Sequence, residues 1–174
     1  VLVIGETIID QYNFCEALGK SGKEPYLALK DIYSENYLGG AAAIANNLAE
    51  FCKKIQLVSM IGEKREYINS TRFSFLNKDV LDVNFKSASI ITSYYTLQFI
   101  LPSVRQNLVN KIYNSLAWGG AFFVFEKTRG PDGRFQDMNA HVYNEYKLNQ
   151  GYRPEEIFSK SRSLAGVLEP FSDN

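Results

Sequence analysis

At 174 residues, with 45% hydrophobic and 14% aromatic side chains, the chain can build one domain or two small ones around packed cores, which excludes intrinsic disorder. Nineteen Lys and Arg balance nineteen Asp and Glu, and no like-charged block stands out, which argues against a nucleic-acid patch or a polybasic membrane anchor. Cys15 and Cys52 lie far apart and His141 is the single histidine, so no metal site is expected.

No apolar stretch reaches the roughly 18 residues of a membrane span, and the opening VLVIG is too short for a signal sequence. The expected setting is cytoplasmic, with small-molecule partners, no nucleic acid and no membrane; homo-oligomerisation is left open. The chain starts inside a strand-like run without an initiator Met, which suggests residues upstream of Val1.

Val1 to Ile4 is a continuous apolar run ending at Gly5, the pattern of a strand buried on both faces. Glu6 to Asp10 then carries polar groups to its carboxyl end, where open α/β sheets put their ligands. Pro25 to Lys30 reads as a short strand, and Gly39-Gly40 opens the small-residue helix AAAIANNLAEF, with Ile44, Leu48 and Phe51 on one face. Ile55 to Ile61 is the next strand.

These pieces, VLVIGETIIDQY, SGKEPYLALK, LGGAAAIANNLAEF and LVSMIGE, resemble the amino-terminal part of ribokinase-type (PfkB) sugar kinases, most closely the heptose-phosphate kinase branch. The resemblance implies sugar contacts at Asp10, Gly39, Gly40 and Asn47, a sugar phosphate as substrate, and ATP with Mg in a complete kinase half. No GxGD turn occurs in the sequence, so phosphoryl transfer by this chain alone is not expected.

Lys64 to Leu76 contains neither Pro nor Gly and does not read as a linker. Two unrelated resemblances meet here, which suggests that a segment is missing near 64–79. The expected division is 1–70 and 71–174, with both modules incomplete.

In the second part, KDVLDVNF places Asp79 and Asp82 around a short strand, and the β-branched run at Ile90 leads to Tyr94. A proline-started helix follows, in which Val104, Leu108 and Ile112 recur every fourth residue. Gly119-Gly120 then introduces the apolar strand Ala121 to Phe125, after which Glu126 and Lys127 read as a polar strand end. Thr128 to Gly151 reads as an insertion with Gly-Pro and Asp-Gly turns, and Pro154 to Leu168 as a helix with Glu155 and Glu156 in its first turn. The implied class is α/β, with Rossmann-like three-layer sheets and helices on both faces.

YTLQF, VRQNLVNKIYNSLAWGGAFFVFEK, NEYKLNQGY and SKSRSL resemble class I methyltransferases dependent on S-adenosylmethionine (SAM), and within them the carboxy-SAM synthases. The resemblance implies SAM as cofactor, with Asp79 and Val80 at its adenine and Tyr94 and Tyr95 near its sulfonium. It places Arg162 at a ligand carboxylate. Tyr94 stands where the family has Asn, which suggests a divergent methyltransferase. No GxGxG loop follows a strand in this part, and no catalytic residue is identified.

The leading expectation is a SAM-dependent methyltransferase module fused to a PfkB-type carbohydrate kinase module in sugar or surface-glycan metabolism. The alternative is a non-catalytic α/β binding or assembly module derived from these enzymes.

Overall fold

The computed structural model describes residues 1–20, 22, 26–61 and 71–172, and the chain forms two compact units, Val1–Asp82 and Val83–Asn174. The junction residues 62–70 and Pro25 lie outside the described residues.

The first unit begins with β1 (Leu2–Gly5), whose four residues are all buried, as its uninterrupted apolar sequence requires. The chain then departs from expectation. In place of a short polar segment and a strand at 25–30, β2 (Thr7–Lys20) and β3 (Leu27–Gly39) form a long antiparallel ribbon, with register shifts after Phe14 and Ala17. Most of its residues are exposed.

Helix α1 (Gly40–Leu48) follows, then β4 (Gln56–Ser59) and β5 (Ser74–Asn77). β4 pairs in parallel with both β1 and β5. The core gathers Val3, Leu57, Ile55 and Phe73 against Ala41, Ala42 and Ala45. The alanines bring the helix close to the sheet, so they are the buried face of α1, whereas Phe51 lies beyond the helix and is 86% exposed.

The acidic pair expected around a strand instead belongs to a 3-10 turn, Val80–Asp82, which Asp79 precedes and Asp82 ends. Asp79 sets this turn: its Oδ1 accepts from the Leu81 N–H at 2.8 Å and its carbonyl from the Asp82 N–H at 3.0 Å. Such local carboxylate-to-backbone bonds compete with strand pairing.

The second unit is built on β6 (Ala88–Tyr94), α2 (Pro102–Ser115) and β7 (Leu116–Phe125), a parallel βαβ step. Leu108 and Ile112 of α2 are buried, as their spacing predicts. β7 starts earlier than the apolar run suggests, because Leu116 pairs with Ala88 and a register shift precedes Ile90. The expected insertion holds a long helix, α3 (Gly133–Asn149), started by Asp132, whose Oδ1 accepts from the Phe135 N–H at 2.9 Å. α4 (Pro154–Leu164) ends four residues before the expected boundary. The α/β, Rossmann-like class holds: β1, β4 and β5 run parallel in one unit and β6 and β7 in the other, with α1 and α2 in the connections.

Gly40 is the tightest point of the first unit. Its φ is +59°, and a Cβ there would sit 2.4 Å from the Glu6 carbonyl oxygen, which accepts from the Ala41 N–H at 2.8 Å. Gly40→Ala should therefore lower stability by about 2 kcal/mol or more, measured by urea unfolding. The same change at Gly133, which has open space around it, should fall within about 1 kcal/mol of the parent.

Candidate functional site

β6 and β7 end side by side at Tyr94 and Phe125, and carboxyl ends of parallel strands are where open α/β sheets present ligands. A cavity of about 1000 Å³ adjoins them, walled by Tyr95, Gln98 and Phe99 after β6, by Lys127 and Thr128 after β7, and by residues of α3 and α4.

One carboxylate organises the loop that follows β6. Glu126, directly after β7, accepts the N–H groups of Thr96 at 2.9 Å and Leu97 at 2.8 Å on Oε1, and that of Gln98 at 3.2 Å on Oε2. Gln98 is itself buried, and its Oε1 accepts from the Lys127 N–H at 3.2 Å. The Tyr95 N–H donates to the Phe125 carbonyl at 2.8 Å. Tyr95 thereby holds a φ of +48°, the single positive value at a non-glycine residue among the described residues. A side chain in that region costs on the order of 1 kcal/mol or more and persists where neighbouring bonds over-determine the backbone.

Arg105 of α2 extends the frame. Its guanidinium donates to the carbonyls of Ile100 at 2.8 Å, Gln98 at 3.3 Å and Glu169 at 2.6 Å, and lies 4.9 Å from the centroid of the Phe171 ring.

The cavity is cationic. Lys127, Lys147 and Lys160 line it, with no Asp or Glu among the described lining residues. The Lys147 Nζ lies 4.1 Å and the Lys127 Nζ 5.9 Å from the centroid of the Tyr143 ring, within cation–π range. Aromatic walls and amides from Gln136 and Asn139 complete a surface suited to a partly apolar, anionic ligand.

The expected site residues fall in separate places. Tyr94 and Tyr95 come together edge-on, their centroids 4.7 Å apart, and Tyr95 lines the cavity. Arg162 is exposed in the last turn of α4; its neighbours Lys160 and Ser161 line the cavity and it does not. His141 is exposed beside Glu145 at 3.3 Å.

In the first unit, Asp79 is exposed with its carboxylate engaged by Leu81, and Val80 is buried. Asp10 and Gly39 are neighbours across the ribbon, since a Cβ on Gly39 would lie 3.4 Å from the Asp10 Oδ2, while Asn47 is exposed near the end of α1. Gly40 has the backbone requirement already described. No cluster of metal-ligating side chains occurs among the described residues.

The sequence reading takes Glu126 and Lys127 as a polar strand end and gives Gln98, Lys147 and Lys160 no role in a site. For Glu126 a signal existed: a carboxylate directly after an apolar parallel strand stands at the ligand edge of the sheet.

No family model matches the chain. It is 36% identical over 104 residues to the carboxy-S-adenosyl-L-methionine synthase of Staphylococcus epidermidis, covering 60% of this chain and 46% of that protein. Identity to the synthase of Helicobacter pylori (strain Shi470) is 41% over 110 residues, or 63% of this chain and 45% of the relative. For the Desulfotalea psychrophila synthase it is 35% over 108 residues, covering 62% and 44%. About 60% of the chain is homologous to carboxy-SAM synthases.

The chain spans about half the length of these curated relatives. None of the three synthases is a sugar kinase, and they lend the PfkB resemblance, with its ATP, Mg and carbohydrate roles, no support. Among the described residues no helix is long and apolar enough to cross a membrane.

Two consequences of the frame are measurable. Glu126→Ala leaves three part-buried N–H groups without their acceptor and should lower stability by about 2–3 kcal/mol. Amide hydrogen exchange should accelerate at Thr96, Leu97 and Gln98 ahead of the rest of the unit.

At the other wall, the Arg153 N–H donates to the Glu156 Oε2 at 2.8 Å and its guanidinium to Oε1 at 3.2 Å. The backbone bond first and the side chain second hold this carboxyl below its ordinary value of 4.5. A lowered folded value means support for the start of α4 is full above that range and lost as pH falls through the folded value. A carboxyl titration of Glu156 by NMR, with the Arg153 amide exchanging faster over the same interval, checks this; Glu156→Gln should remove that transition.

Proposed function

We propose that the chain carries part of a SAM-dependent transferase related to carboxy-SAM synthases, and that the cavity beside β6 and β7 is its ligand site. The homology carries this reading, and a cavity at the expected edge of a parallel pair supports it.

The donor set fits a SAM-type ligand at the level of chemistry. Lys127, Lys147 and Lys160 suit carboxylates, the amides of Gln136 and Asn139 suit polar groups, and Phe99, Tyr95 and Phe158 offer apolar walls. SAM, when bound, supplies an electrophilic carbon on a positively charged sulfur.

This chain's contribution is positioning and desolvation. Glu126 fixes the loop that presents Tyr95, and the tyrosine ring faces join Phe125, 5.9 Å from Tyr94, in an aromatic cluster at the strand ends. Such faces accommodate a sulfonium, whereas the lysine side repels one. In the proposed pose the cationic sulfur lies toward Tyr94 and Tyr95 and the anionic groups toward the lysines. Asp79 and Val80 are the proposed adenine contacts and Arg162 a further carboxylate contact. The sugar-kinase and surface-glycan roles are no part of this proposal.

Isothermal titration of the full chain with SAM tests the reading. Saturable binding is expected, with Asp79→Ala and the pair Lys147→Ala, Lys160→Ala each weakening it by roughly tenfold, the scale of one charge-assisted hydrogen bond. Absence of binding at about 1 mM SAM, with the protein folded by circular dichroism, would overturn it and leave a non-catalytic module as the better description.

A further inference from the structure

A second concave surface lies away from the cavity. α2 turns Asn107, Asn110 and Asn114 to one side, spaced three and then four residues apart, and with Asn84 and Phe85 of the segment before β6 they line a groove of about 400 Å³. Asparagine is a poor helix former, because its side chain competes for backbone hydrogen bonds. Three on one face of a fourteen-residue helix is a choice that helix formation itself disfavours. Packing offers little return, since all three are exposed and the one described helix pair is that of Asn110 with Gln106, a weak surface interaction. Local rules broken for little structural gain mark candidate binding surfaces.

The groove's chemistry narrows the ligand. Its charge comes from Lys111, whose Nζ donates to the Val83 carbonyl at 3.1 Å and lies 5.8 Å from the centroid of the Phe85 ring. That lysine braces the groove wall. What remains is a row of primary amides, each offering donors and an acceptor, beside a half-buried aromatic ring. The Asn110 Oδ1 accepts from the Gln106 Nε2 at 2.9 Å, which leaves the Asn110 amide hydrogens directed elsewhere. Groups that donate and accept in pairs match vicinal hydroxyls, and the face of an aromatic ring matches the C–H face of a pyranose ring.

We propose that this groove is a binding site for a neutral carbohydrate, separate from the cavity of the proposed function. The inference does not depend on SAM chemistry, and its test is independent of SAM.

The full chain, labelled with nitrogen-15, is titrated with N-acetylglucosamine, galactose and mannose up to about 50 mM, above the millimolar constants of weak complexes. The expected result is a saturable shift of the Asn107, Asn110 and Asn114 side-chain amide signals with at least one sugar. The variant Asn107→Ala/Asn110→Ala/Asn114→Ala should bind that sugar roughly tenfold or more weakly. Because alanine favours helix, this variant should melt at or above the parent temperature, so lost binding is not lost folding. Phe85→Leu provides a second variant, expected to weaken binding without touching the amides. No saturable shift with any sugar, or shifts unchanged in the alanine variant, would overturn the proposal. Shifts produced equally by inorganic phosphate would also overturn it, by pointing to Lys111.

Discussion

The ligand edge of the second unit depends on a single carboxylate accepting three consecutive backbone N–H groups. Two parallel strands that end together leave two chains departing in the same direction, each with unpaired amides at the place where a ligand is to lie. Glu126 settles both problems, since it belongs to the chain leaving β7 and satisfies the chain leaving β6. Gln98 returns the connection by accepting from Lys127. The cross-links leave Tyr95 no ordinary backbone conformation, and its left-handed φ follows from the bonds on both sides. A neutral amide at position 126 would face the same three donors with one acceptor oxygen and an NH2 group that repels them.

The cavity's charge follows from the same economy of placement. The acidic group at this edge is spent on the backbone, so the side chains that face the open volume are cationic, amide or aromatic. Lys127 is adjacent in sequence to Glu126, yet the carboxylate is directed at the loop while the lysine lines the cavity. The Tyr143 ring lies within cation–π range of both Lys127 and Lys147, so two like charges share one ring, with no carboxylate among the described lining residues. An anion entering the cavity would relieve that repulsion, which an apolar ligand would not.

The sequence disclosed elements with a clear apolar pattern and hid those without one. β1 and α2 were legible because a buried strand and a buried helix stripe write their pattern into the residues, as Leu108 and Ile112 do, and the end of β7 was legible as an apolar run although Phe123, Val124 and Phe125 are exposed. The β2–β3 ribbon was illegible for the converse reason. Both of its faces are largely exposed, so Thr7 to Lys20 mixes Ile, Asp, Tyr, Asn and Phe with no alternation to read. α3 buries none of its residues, so the sequence of the insertion shows no helical stripe, although Asp132 three residues before Phe135 is a readable helix start. At the site, aromatic and acidic residues drew attention through resemblance. The residues that build it, Glu126 and Gln98, act on backbone groups far away in sequence, which local spacing does not announce.

A carboxylate that organises a structure and one that contacts a ligand differ in what their oxygens already do. Asp79 and Glu126 are both candidates by position, one at a turn and one at a strand end, but their commitments are unequal. The described contacts of Glu126 use both oxygens on backbone N–H groups, so a ligand would have to displace a structural bond to reach it. Asp79 uses Oδ1 on the Leu81 N–H and is exposed, which leaves Oδ2 able to accept a ligand N–H while Oδ1 keeps the turn. Removing Glu126 should therefore register first in stability and only then in binding. Removing Asp79 should register in binding with a small stability change, because one exposed turn bond is worth little in water. The order in which the two properties respond separates positioning from contact.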